Sequence, residues 1–186
     1  MNLHYLRSEK GVAEVWWQQD VQLYQQIIFS RHAIGKIREN NNRGSFDGIF
    51  CYIQLLLSCM GNISKLLNNS SEYCAHLQLD RSKIKHISNR DLRNINEHID
   101  ERLNNPSSKA KNHSDMALVQ SDIALSEKAC PQRAFNCKKE TIQFIDAKKG
   151  IVSVGLIDVE AELSYLSSLE PISYVIDRYQ DSDTIF

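Results

Sequence analysis

The segment Phe46–Leu67 does most to limit what this chain can become. Its apolar residues Phe46, Ile49, Phe50, Ile53, Leu56, Leu57, Met60, Ile63 and Leu67 recur at helical steps. They trace a wide stripe down one side of a helix, and a stripe of that width must be covered by other elements. Ser45 is placed to cap this helix, and Asp47 falls in its first turn, where the helix dipole favours a carboxylate. A second amphipathic run precedes it. Val12, Val15, Trp16, Leu23, Tyr24, Ile27, Ile34 and Ile37 predict one long helix or two short ones over residues 12–39, ended by "NNNRGS".

The later segments are less uniform. Leu77, Leu79, Ile84 and Ile87 suit short helical turns. Ser88 or Asn89 then suits the cap of another helix, whose apolar face is Leu92, Ile95, Ile99 and Leu103, closed by Asn104, Asn105 and Pro106. A polar loop is expected over about 104–134, with a weak helix at 115–128. The runs "ETIQFID" and "GIVSVGLIDV" flank "AKKG" and predict a β-hairpin at about 140–158. Asp158 is placed to cap a final helix with Val159, Leu163, Leu166, Ile172, Val175 and Tyr179 inward, kinked or divided at Pro171. The sum is a mainly α chain: an antiparallel bundle of four to five helices with a small hairpin before the last helix, in a single domain of residues 1–186.

With 186 residues, 42% apolar and 24% charged, the chain matches an ordinary globular domain that needs no disulfide or metal staple. A net charge of −1 argues against a broad electrostatic grip on nucleic acid, though not against a local one. Five cysteines without a C-x-x-C pair predict free thiols, with Cys51 and Cys59 acting as small hydrophobes in the apolar helix. The N-terminal "MNLHYLRSEKG" has no signal-peptide core, and "IFCYIQLLLSCM" is short for a bilayer, so a cytoplasmic chain without membrane contact is expected. His76 and His86 have no ligand partner at zinc spacing. His32 is expected in the core or at an interface. Of the adjacent Trp16 and Trp17, one is expected in the core and the other at an interface.

The chemistry concentrates in "DLRNINEHIDERL", residues 91–103. On a helix, Arg90, Asn94, His98 and Arg102 form one polar row, and Arg93, Glu97 and Glu101 the row beside it. A long Arg93 side chain can bend towards the His98 imidazole with the Asn94 amide between them. That trio suits phosphodiester chemistry: the guanidinium holds phosphate and stabilises transition-state charge, the imidazole moves protons, and the amide orients both. No metal or other cofactor is needed. Arg81, Lys83, Lys85, Arg90 and Arg93, against Asp91 alone, form a local basic approach that suits RNA.

The run "RNINEH" within "LRNINEHIDER" resembles the R-(N/D/H)-x-x-x-H motif of HEPN domains. The order of helices around it is similar to that family, apart from the hairpin before the last helix. The resemblance implies a homodimeric helical bundle acting on RNA as a metal-independent endoribonuclease of a toxin–antitoxin or defence system. Arg93 and His98 would be the catalytic pair at the dimer cleft, with Asn94 between them. Its partner would be a cognate antitoxin or a nucleotidyltransferase. The alternative is a non-catalytic helical module that binds RNA, a nucleotide or a protein partner. On that alternative the charged face is solvated surface, with Arg93 paired to Glu97 by a salt bridge of a few tenths of a kcal/mol.

Overall fold

The structure is a computed structural model that describes residues 10–88, 116–119, 133–146 and 150–180. Helix α1 (Lys10–Arg43) is continuous. It stops at Gly44, whose φ of +67° is a left-handed conformation that glycine adopts without steric cost. Helix α2 (Phe46–Asn69) follows after Ser45. Ser45 sits at the cap position with extended backbone but makes no side-chain capping bond. The two helices run antiparallel. Asn62 on α2 donates to Gln26 on α1 at 3.2 Å. At the other end, Gly48 lies so close to Asn40 that a Cβ there would strike the amide.

The remaining helices complete a bundle around α1. After the short α3 (Ser71–His76) and a 3-10 turn at Arg81–Lys83 come the strands and then α4 (Leu156–Ser168) and α5 (Glu170–Gln180). Both α4 and α5 pack on α1. Trp17 meets Tyr174 edge-on at 6.1 Å and Tyr24 stacks on Tyr179 at 5.7 Å, so α5 runs in the same direction as α1. The core is the joint stripe of Leu23, Ile27, Ile34 and Ile37 with Ile53, Leu56, Ile63 and Leu67, closed by Val159, Leu163, Leu166 and Ile172.

Pro171 divides the last helical segment, as its sequence position predicts: α4 ends at Ser168, and Leu169 stands between it and α5. Asp158 is not the cap. Gly155 occupies that position, and Asp158 lies in the first turn with its carboxylate against Gly155, where a Cβ would collide with it. A larger residue at Gly155 would have to push this exposed carboxylate aside where β4 turns directly into α4.

The hairpin is present but belongs to a larger sheet. Strands β1 (Met116–Val119), β2 (Arg133–Asn136), β3 (Thr141–Asp146) and β4 (Gly150–Gly155) lie in sequence order. β2, β3 and β4 are antiparallel, while β1 is parallel to β2. The four residues of β1 fall in the span where a polar loop or weak helix is expected. Their strand character comes from pairing with β2, a contact that local composition does not encode. Phe135, Ile142 and Val154 join the helical core, so the sheet leans on the bundle with one face.

Three aromatic positions are placed by the fold. His32 is exposed, edge-on to Tyr52 at 6.1 Å, so of the two places expected for it the core is excluded. It stands five residues after the buried Ile27, about 140° around the helix axis from it. Both tryptophans are half-buried within the fold, Trp17 on Tyr174 and Trp16 on Tyr73.

Among the described residues, α2 over Gly48–Asn69 is long and apolar enough to cross a membrane, a longer window than the run from Ile49 to Met60. Its stripe is buried against the rest of the bundle. Cys51, Cys59, Cys74 and Cys137 are all free thiols. Burial pushes the Cys59 thiol above its usual range, while Cys51 is exposed.

Two outcomes follow from this packing. Ile63→Ala empties a fully buried site and should cost about 2–5 kcal/mol in a urea melt, whereas Ile157→Ala, at 72% exposed, should stay within ~0.5 kcal/mol. Equal losses would contradict the core assignment. In native protein at about pH 8, iodoacetamide should alkylate Cys51 well before Cys59 when peptides are followed by mass spectrometry. Equal rates at the two thiols would mean that α2 is not buried on that side.

Candidate functional site

The catalytic trio expected from sequence, Arg93, Asn94 and His98, lies outside the described residues, as do Arg90 and Arg102. The structure does describe the strap that leads to them, residues 70–88. Its apolar residues Tyr73, Leu77, Ile84 and Ile87 are all buried in the bundle. Three polar fastenings then fix its position.

The first is a buried cluster on α1 and α3. Asp20 is fully buried, a costly place for a carboxylate without partners. Tyr73 donates its hydroxyl to Asp20 Oδ1 at 3.0 Å, and His76 Nε2 stands 3.1 Å from Asp20 Oδ2. Trp16 stacks on both rings, with centroids 5.6 Å from Tyr73 and 5.3 Å from His76. Ser70 caps α3 by accepting the Tyr73 backbone N–H at 3.0 Å. Asp20 was not singled out from the sequence, yet it carries a usable signal. It sits at helical spacing between Trp16 and Leu23, on the face that should be apolar.

The second is Arg81, which sequence reasoning assigned to RNA. Its guanidinium donates to Asn68 Oδ1 at 2.7 Å, to the Leu67 carbonyl at 2.8 Å and to Cys74 Sγ at 3.3 Å. It thereby bonds the Leu67 carbonyl, one of those without an intrahelical partner at the C-terminal end of α2. Lys83 places its ammonium 5.0 Å from the Tyr165 ring centroid, a cation–π contact with α4. Lys85 is exposed. Of the three described basic residues, then, two are engaged within the fold. Asp80 just before them accepts from the Ser82 hydroxyl at 2.7 Å and the Ser82 N–H at 3.0 Å, and these bonds hold its carboxyl below the usual range.

The third fastening is nearest the motif. Glu162 on α4 is 7% exposed. Its Oε2 accepts the Ile87 N–H at 2.8 Å, its Oε1 the His86 N–H at 2.8 Å, and His86 Nδ1 lies 2.8 Å from the same Oε1. A buried carboxylate is well matched to this set of donors, since its two oxygens only need to accept. They fix the backbone two residues before the segment that begins at Asn89. Sequence alone could not find this pairing, because Glu162 is 75 residues from Ile87.

Two other features involve α1. Arg38 forms a two-pronged pair with Glu160, at 2.6 and 2.8 Å, and donates Nε to Glu140 at 2.9 Å. The Glu160 bond, and then Glu140, hold the Arg38 proton more tightly than usual. This ties α1 to α4 and to the β2–β3 turn. Between α1 and α2 runs a groove of about 420 Å³ whose lining includes Gln19, Gln22, Gln26, Asn62, Lys65 and Asn69. Among the described residues no group of three or more His, Cys, Asp or Glu side chains gathers in metal-binding distance.

No protein-family model, curated protein or solved structure matches the chain.

Glu162→Ala would leave the buried Ile87 N–H, the part-buried His86 N–H and the His86 ring without their acceptor, at a cost of about 2–5 kcal/mol. Amide exchange at Ile87 should accelerate before global unfolding does. Unchanged protection at Ile87 would mean that the carboxylate does not hold the strap.

Proposed function

We propose that the chain is a HEPN-like protein that cleaves RNA without a metal ion. The observation that carries this is the spacing in "RNINEH", which on a helix would bring Arg93, Asn94 and His98 along one ridge. Arg93 holds the scissile phosphate with two parallel hydrogen bonds and stabilises the added negative charge as the ribose hydroxyl attacks. His98 passes a proton from the attacking hydroxyl or to the leaving oxygen. Asn94 orients the two. The product of such an attack is a cyclic phosphate on one side and a free 5′ hydroxyl on the other.

The mainly helical fold is compatible with this reading, and so is the way the strap is fastened ahead of the motif. In the proposed assembly two copies meet so that their Arg93 and His98 side chains line a shared cleft. A toxin or defence role, with a cognate antitoxin or nucleotidyltransferase as partner, belongs to the same proposal.

A second reading is favoured by one specific observation. Arg81 is engaged at the end of α2 and Lys83 on Tyr165, so the basic approach to the motif is thinner than the sequence implies. On this reading the chain is a non-catalytic helical module that binds RNA, a nucleotide or a protein.

The two separate in one assay. The purified chain should cut single-stranded RNA in the presence of EDTA, leaving cyclic-phosphate ends. His98→Ala and Arg93→Ala should each slow cleavage by 100-fold or more, in line with the loss of an acid–base group or a phosphate clamp. Cleavage that persists unchanged in His98→Ala would remove that residue from the mechanism.

A further inference from the structure

The groove between α1 and α2 has an unusual lining for a surface seam. Gln19, Gln22 and Gln26 repeat at steps of three and four on α1, and Asn62 and Asn69 are seven apart on α2. Each set therefore lies along one face of its helix. Five of the nine residues from Gln18 to Gln26 are glutamine. Lys65 supplies the one charge among the described lining residues, and no carboxylate is among them. Gln26 and Asn62 already meet across the seam at 3.2 Å. Gln19 Oε1 is buried and accepts no hydrogen bond among the described residues. The far end, at Ser70, adjoins the Trp16–Tyr73–His76 stack through the Ser70–Tyr73 bond.

A carboxamide presents a donor and an acceptor side by side, the arrangement that pairs with the edge of a nucleobase. A neutral lining reads such an edge without drawing in phosphate at the wrong place. The Lys65 ammonium on the lining matches a single phosphate charge. At about 420 Å³ the groove is near the small end of ligand sites, a size for one nucleotide and not for a length of peptide.

We propose that this groove is a base-reading subsite for single-stranded RNA, taking one unpaired nucleobase on its carboxamides and the adjoining phosphate on Lys65. It rests on the RNA reading above and adds where the strand is gripped away from the cutting residues. Gln22 and Asn62 supply the base contacts, and Gln26 and Gln19 shape the floor.

The test is fluorescence anisotropy of the full chain with labelled 12-nucleotide RNAs of A, C and U whose 2′ hydroxyls are methylated so that they cannot be cut, run beside the cleavage assay. Gln22, Asn62 and Lys65 are exposed, so their alanine variants should keep the parent's melting curve. Gln22→Ala/Asn62→Ala should compress the differences in affinity among the three RNAs. Lys65→Ala should weaken all of them and reduce the salt slope by about one. The triple variant should bind at least tenfold more weakly. Binding within twofold of the parent overturns the proposal, as does a parent that binds none of the RNAs. A triple variant that loses a protein partner but keeps RNA assigns the groove to protein and overturns it too. The two proposals fail separately. Cleavage lost in His98→Ala with indifferent groove variants leaves the nuclease without this subsite. Groove-dependent binding without His98-dependent cleavage leaves the subsite without the nuclease.

Discussion

Helix α1 is the wall on which the other helices lean, and its buried stripe is the constraint the rest depends on. At 34 residues it is about 50 Å long, far more than its own propensity could hold straight in water. It persists because Leu23, Ile27, Ile34 and Ile37 are covered by α2 and by the last two helices. That burial supplies most of the stabilisation, but it has no direction and tolerates sliding. Polar ties set the register. Near one end Asp20 takes hydrogen bonds from α3, and near the other Arg38 grips Glu160 and Glu140. A slip of one residue would strand a buried carboxylate at the first and break a two-pronged pair at the second.

The same logic extends to the strap ahead of the motif. Residues 70–88 have little regular structure of their own, yet Tyr73, Leu77, Ile84 and Ile87 are buried and Glu162 binds two successive backbone N–H groups. The chain therefore leaves Ser88 from a fixed point. Precise placement matters for phosphodiester chemistry, since an error of about 1 Å in an attacking geometry can cost two orders of magnitude in rate. A carboxylate contributed by α4 links the last part of the chain to the strap that ends at Ser88.

Much of the helical layout was legible because periodicity is local. The stripe from Phe46 to Leu67 marks α2 almost to the residue, "NNNRGS" marks its junction with α1, and Pro171 marks the break between α4 and α5. What was not legible depends on distant partners. Met116–Val119 is a strand only because β2 lies beside it. Gly155 displaces Asp158 as the cap because β4 runs straight into α4. The part that Arg81 plays at the end of α2 cannot be read from a count of basic residues. Glu162 looks like any acidic residue on an amphipathic helix until the fold brings Ile87 to it. The motif itself was visible as spacing alone, and Asp20 was visible in principle as a charge on an apolar face.

The central claim is that Arg93 and His98 act together on one phosphate. It is tested most directly by an experimental structure of the chain bound to an RNA whose scissile ribose lacks its 2′ hydroxyl, so that cleavage cannot proceed. The account predicts that the Arg93 guanidinium holds a phosphate oxygen with the His98 imidazole within hydrogen-bond reach of the same phosphodiester, at a cleft shared by two copies. RNA bound elsewhere, with Arg93 paired to Glu97 in open solvent, would contradict it.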